Sequence, residues 1–148
     1  MKAVVQRVSE AVVSVDDKVV SQCSGGFLVF LGVEQDDESR DLDYIVTKIS
    51  KLRIFSDNEG RMNLSLAQVG GSLLLVSQFT LLADTGKGNR PSFNKAAEPK
   101  KAEEYYERAI QGFKAQGFKV GSGVFGAMMN VSLVNDGPVT ILLESPAK

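Results

Sequence analysis

The sequence has no histidine and one cysteine, Cys23. Without imidazole there is no Ser-His-Asp or Cys-His machinery and no histidine metal ligand. A single thiol rules out an internal disulfide and a cysteine-rich zinc site. Cys23 therefore reads as a small buried hydrophobe in a reducing, cytoplasmic setting. No apolar run reaches about 18 residues, which excludes a helical membrane span. Gln6 and Arg7 interrupt Met1-Lys2-Ala3-Val4-Val5 before a signal-peptide core can form.

A large excess of either charge is also missing. With 17 basic and 18 acidic side chains, the chain does not suit a general nucleic-acid coat, which draws its affinity from many phosphate contacts. A local basic patch holding one RNA end remains compatible with that balance. The densest acidic run is Asp36, Asp37, Glu38, Asp41 and Asp43. Acids collect at helix N-termini, so this run reads as a solvated helix start rather than a magnesium site. No metal and no cofactor are expected.

The 148 residues, 43% apolar, suit one domain over 1–148 that buries roughly 70% of its unfolded surface. Val-rich residues 3–15 predict a long strand, bent along its length. Asp16-Asp17 reads as a turn into Lys18 to Cys23. Gly25-Gly26 precedes the buried strand Phe27 to Leu31. Leu42, Ile45, Val46, Ile49 and Leu52 recur at helical spacing. Ile54-Phe55 suggests a short strand, and Leu64 to Val69 is ambiguous. Ser72 to Val76 predicts another buried strand, followed by a polar loop, Asp84 to Lys95. A second helix starts at Pro99, buries Ala102, Tyr105, Tyr106, Ala109, Ile110 and Phe113, and stops by Gly117. Lys119–Val124, Met128–Val134 and Val139–Leu143 complete the strands. The expected class is α+β, with an antiparallel or mixed sheet forming a partly closed barrel and two main helices.

With the common catalytic side chains absent, two islands carry the chemical interest. Ser77-Gln78-Phe79-Thr80-Leu81 follows an apolar strand. Either the strand continues, with Phe79 and Leu81 inward, or backbone N–H groups near Phe79 and Thr80 face a developing oxyanion. Thr80 is also a possible nucleophile, although no base to activate it is evident. Asn135-Asp136-Gly137-Pro138-Val139-Thr140 carries strong turn chemistry and reads as a tight hairpin between C-terminal strands. Alternatively, a cis Gly137-Pro138 bond would redirect its carbonyls into a rigid steric gauge.

Gly86-Lys87-Gly88-Asn89-Arg90-Pro91-Ser92-Phe93 lacks nucleotide-loop spacing and a following helix, which excludes a triphosphatase. Lys87, Arg90 and Lys95 suit one or two phosphates or a plain solvated loop. Phe125 and Met129 are either core residues or apolar walls for a base.

Together with the opening Met1-Lys2-Ala3-Val4-Val5-Gln6-Arg7-Val8 and the segment Gly86–Phe93, the two islands resemble the signature motifs of the D-aminoacyl-tRNA deacylase family, formerly called D-tyrosyl-tRNA deacylase. The resemblance spans the chain. It implies a homodimer with active sites at the subunit interface, acting on the 3′ end of aminoacyl-tRNA. Gly137 and Pro138 would form a cis pair reaching into the partner's site, where their carbonyls exclude L-aminoacyl groups. Ser77, Gln78, Phe79 and Thr80 would line the ester pocket, with Phe79 and Thr80 at the catalytic position. Arg7 would steady the Gly-Pro element, and Phe125 and Met129 would wall the terminal-adenine pocket. Hydrolysis of D-aminoacyl esters, and of glycine mischarged on tRNA-Ala, is the activity implied. An RNA 2′-hydroxyl assisting water would account for the missing histidine. Two rivals differ in class. One is a non-catalytic module binding the RNA end. The other is a serine esterase, weakened by the absent histidine and Gly-x-Ser-x-Gly elbow.

Overall fold

Strand β1 (Lys2–Val15) is the spine of the sheet. In the computed structural model, which describes residues 1–146, it pairs on one side with β2 (Lys18–Cys23) and β3 (Gly26–Gly32), and on the other with β8 (Asn130–Glu144). Beyond β3 the order continues through β6 (Ser72–Ser77) to β7 (Val120–Ser122), both pairings parallel. The remaining elements are α1 (Ser39–Ser50), the short hairpin β4 (Phe55–Ser56) and β5 (Met62–Leu64), α2 (Leu66–Val69) and α3 (Pro99–Ala115). The mixed sheet curls until β2 approaches β6 and β7, so the α+β class and the partly closed barrel hold.

Alternation along β1 changes phase midway, and that bend creates two cores. Ala3 and Val5 face the cluster that contains Phe27, Leu73, Leu75, Ile45, Ile49 and Phe113. Val8, Ala11 and Val13 join Leu28, Leu74, Val76 and Cys23 in a second cluster. Register slips against β8 between Gln6 and Val8 and between Val8 and Glu10 cause the switch. Cys23 is buried, and desolvation holds its thiol above the ordinary range. An inert thiol follows.

Both main helices bury most of their predicted stripes, and Pro99 stands in the first turn of α3; Leu52 falls just past the end of α1, and it and Ile110 are only half-buried. Gly117 takes φ +90 just past that helix, a conformation that suits glycine.

Three expectations need correction. Asp37 and Asp41 are not solvated: they are 2% and 3% exposed. Asp37 takes the Met1 ammonium at 2.7 Å and the Glu34 N–H at 2.7 Å, while Asp41 accepts the Glu38 N–H. The strand ending at Ser77 does not continue, because a 3-10 turn, Phe79–Leu82, replaces it. No hairpin interrupts the C-terminal strands either. β8 runs unbroken past Gly137-Pro138, which bulge out because Thr140 pairs with Gln6 and Asn135 with Val8.

Candidate active site

Leaving the sheet at Ser77, the chain turns back on itself. The Gln78 N–H still bonds to the Leu31 carbonyl at 2.8 Å, and the Leu81 N–H then returns to the Gln78 carbonyl. The first N–H groups of a helical turn have no internal acceptor. Among the described residues, the Phe79 and Thr80 N–H groups find no backbone acceptor. Phe79 is 55% exposed, its ring set edge-on to Phe93 with centroids 5.0 Å apart. The Gln78 side-chain amide donates to the Thr80 hydroxyl. Two free donors, a hydroxyl and an exposed ring thus share one corner, and among the described residues no titratable side chain is bonded to Thr80.

The second island is a clamped bulge. The Asn135 side-chain oxygen accepts the Val139 N–H at 2.7 Å, and its amide donates to the Val139 carbonyl and to the Thr140 hydroxyl. That bracket closes around Asp136, Gly137 and Pro138. From below, Arg7 Nε donates to the Asp136 carbonyl at 2.8 Å and Nη1 to the Ile54 carbonyl at 2.6 Å. Ile54 is held just before the β4–β5 hairpin, where Arg53 bonds Asn63 and Asp57 accepts the N–H groups of Arg61 and Glu59. The Gly137-Pro138 bond is cis, and both residues are exposed.

Phe125 lies within, and Met129 two residues beyond, a turn closed by the Ala127 N–H on the Val124 carbonyl, with Gly126 at φ +74. Gly126 occupies the turn position that needs positive φ. Met129 packs on Gly123, where a Cβ would lie 2.7 Å from its sulfur. Behind Phe125 stands Tyr106, 6.1 Å away between ring centroids. Its hydroxyl donates to the Leu75 carbonyl at 2.8 Å, which also accepts the Gly123 N–H at 3.0 Å. Tyr106 thus sits where β6 and β7 part.

Burial pushes the Tyr106 hydroxyl up to about 12 against the pull of Ser122 and Gly123. The neutral phenol is the form the fold favours, so its contribution is complete below about pH 10 and is lost as pH rises toward about 12. Tyr106→Phe should cost about 1 kcal/mol and lower Tm by roughly 2–4 °C. A pH series of melting curves should show the variant lacking the wild type's extra decline across that window.

The two islands do not meet within one chain. Arg7, beneath Gly137, pairs with Phe27, whereas Ser77 pairs with Leu31 four residues further along β3. Along the curled sheet that is about 13 Å lengthwise and about 14 Å across the steps from β8 to β6. A cleft of about 500 Å³ lies at the other end of β6, and neither island lines it. The outer edge of β8 has no strand beside it among the described residues, and Leu142 on it is 76% exposed.

Sequence reasoning overlooked Asn135 as the bracket, Ile54 as the backbone anchor of Arg7, and Phe93 and Tyr106 as supports. Only Asn135 had a local signal, since its side chain can bond backbone a few residues away. The others depend on contacts 14 to 47 residues apart in sequence.

A family model described as D-Tyr-tRNA(Tyr) deacylase matches residues 4–144. A protein of Kosmotoga olearia named D-aminoacyl-tRNA deacylase is 57% identical over 145 residues, covering 98% of this chain and 97% of the relative. One of the same name from Clostridioides difficile is 54% identical over the same shares. A solved structure titled c-Myc DNA Unwinding Element Binding Protein superposes with a TM-score of 0.93 at 40% identity, covering 99% of this chain and all of that one.

Proposed function

Because this chain belongs to the D-Tyr-tRNA(Tyr) deacylase family, we propose that it hydrolyses the ester joining a D-amino acid to the terminal ribose of tRNA. The observation that carries the mechanism is the pair of free N–H groups at Phe79 and Thr80, beside a threonine with no base bonded to it among the described residues. Water adds to the ester carbonyl, the two N–H groups receive the oxyanion, and the ribose oxygen departs with a proton. One such donor contributes roughly 3–4 kcal/mol in a tetrahedral transition state. An aminoacyl ester is already reactive, so placement matters more than a strong side-chain base. The neighbouring 2′-hydroxyl of the RNA assists the attacking water.

Ser77 and Gln78 line the ester pocket, Phe125 and Met129 wall the terminal adenine, and Arg7 steadies the gauge. Gly137 and Pro138 present backbone oxygens where an L side chain would lie. Glycine offers nothing for a steric gauge to reject, so glycine mischarged on tRNA-Ala is also cleaved. Residues 1–148 act as one domain, in the cytoplasm where tRNA is charged, without a metal or cofactor. The solved neighbour's title names a DNA element, but a net charge of −1 does not favour broad duplex binding.

The separation of the islands within one chain supports a homodimer in which Gly137-Pro138 of one subunit completes the pocket of the other. Gly137→Ala and Thr80→Pro should each be nearly inactive toward D-Tyr-tRNA. Thr80→Pro removes one proposed oxyanion donor. Denatured together and refolded in equal amounts, they should recover about a quarter of wild-type sites, since half the dimers are mixed and hold one intact site each. A mixture no more active than its parents would refute the shared site.

A further inference from the structure

The segment between Asp84 and Lys95 carries three cations and one carboxylate in a chain of balanced charge. Its base is pinned on both sides. Asp84 and Ser92 exchange backbone hydrogen bonds at 2.8 and 2.9 Å. The Asn94 and Lys95 carbonyls accept from Gln35 at 3.0 Å each. Only the arch of residues 85–91 stands free, and all of it is exposed; Ser92, at its foot, is half-buried. Asp84, its one carboxylate, is engaged with the Gly86 N–H at 2.9 Å. Lys87 and Arg90 have no ion-pair partner among the described residues. Long cationic side chains left unneutralised on a braced loop are suited to an external polyanion.

Location selects the anion. Phe93, at the foot of the arch, packs on Phe79 in the candidate pocket. Arg90 lies three residues before it, so the arch's cations start within about 11 Å of that contact along the chain. We propose that Lys87 and Arg90 clamp the phosphodiester backbone of the single-stranded RNA 3′ end, immediately 5′ of the terminal adenosine. The Phe93–Phe79 contact then couples the clamp to the ester pocket. This inference rests on the tRNA reading above. Arg90 offers a planar fork for two phosphate oxygens and Lys87 a point charge. Gly86 and Gly88, the latter at φ +137, leave the backbone between them open to close approach.

Each phosphate neutralised on a single strand contributes about 0.7 to the slope of log affinity against log salt. Two contacts predict a slope shallower by about 1.4 in Lys87→Ala/Arg90→Ala, measured by fluorescence anisotropy with deacylated tRNA. Between 50 and 200 mM salt, wild type should therefore lose about sevenfold more affinity than the variant. Lys87→Arg/Arg90→Lys should restore the slope. With D-Tyr-tRNA the defect should appear in KM rather than kcat, and it should vanish with D-Tyr-adenosine, which carries no phosphate. An unchanged slope, or equal losses on both substrates, would overturn the clamp. Wild type inert toward D-Tyr-tRNA would instead sink the hydrolase reading, with anisotropy still deciding the clamp.

Discussion

Gly137→Ala should lower kcat/KM for D-Tyr-tRNA roughly a hundredfold while leaving the protein folded. A Cβ there would stand 2.8 Å from Val139 Cγ2 and 3.0 Å from Arg7 Nη2, with φ at +138. The first contact lies below any normal Cβ separation, and the second presses on the guanidinium that holds the bulge. Relief requires the bulge to shift. A displacement of about 1 Å in a positioning element is enough for a loss of this size. The strain itself, roughly 1–3 kcal/mol, falls on an exposed edge rather than on either core. Asp136→Ala is the contrasting case. Its carboxylate is 60% exposed and 3.7 Å from Arg7 Nε, whereas the anchor Arg7 uses is the Asp136 main-chain carbonyl. That substitution should cost less than about threefold, as surface ion pairs contribute little. Equal or greater loss from removing an aspartate or glutamate other than the buried, fold-supporting Asp37 and Asp41 would point to an overlooked general base.

The second large effect lies on the RNA. A D-Tyr-tRNA whose terminal ribose carries hydrogen at the 2′ position should react about a thousandfold more slowly, the range in which a positioned proton-transfer group contributes. Thr80→Val should stay within about tenfold of wild type, because among the described residues the Thr80 hydroxyl accepts from Gln78 and has no base bonded to it. Rapid-quench kinetics on both substrates separates the two routes. A trapped acyl ester on Thr80 would replace the RNA-assisted route with covalent catalysis.

Both effects depend on parts of the fold that differ in how legible they are from sequence. Leu42, Ile45, Val46 and Ile49 announce α1 because burial on one side imposes a period near 3.6. The continuous apolar runs of β3 and β6 likewise follow from burial on both faces. Neither islands' geometry has a period. Asn-Asp-Gly-Pro is turn chemistry whether it joins two strands or bulges within one, and only the pairing of Gln6 with Thr140 decides between them. Asp37 looks like any acid near a helix start, since its partner, the Met1 ammonium, is 36 residues distant. The end of β6 at Ser77 was hidden because Phe79 and Leu81 fit a continuing strand as well as a turn. Motif resemblance reached the islands where periodicity did not, because it compares residue identities rather than patterns of burial.

Deacylation of D-Tyr-, L-Tyr- and Gly-tRNA, followed side by side at enzyme excess, tests the central claim most directly. A steric gauge beside a backbone oxyanion site should release D-tyrosine and glycine and leave L-Tyr-tRNA intact. Release of L-tyrosine at a rate comparable to D-tyrosine, or tight binding of D-Tyr-tRNA without release, would contradict it.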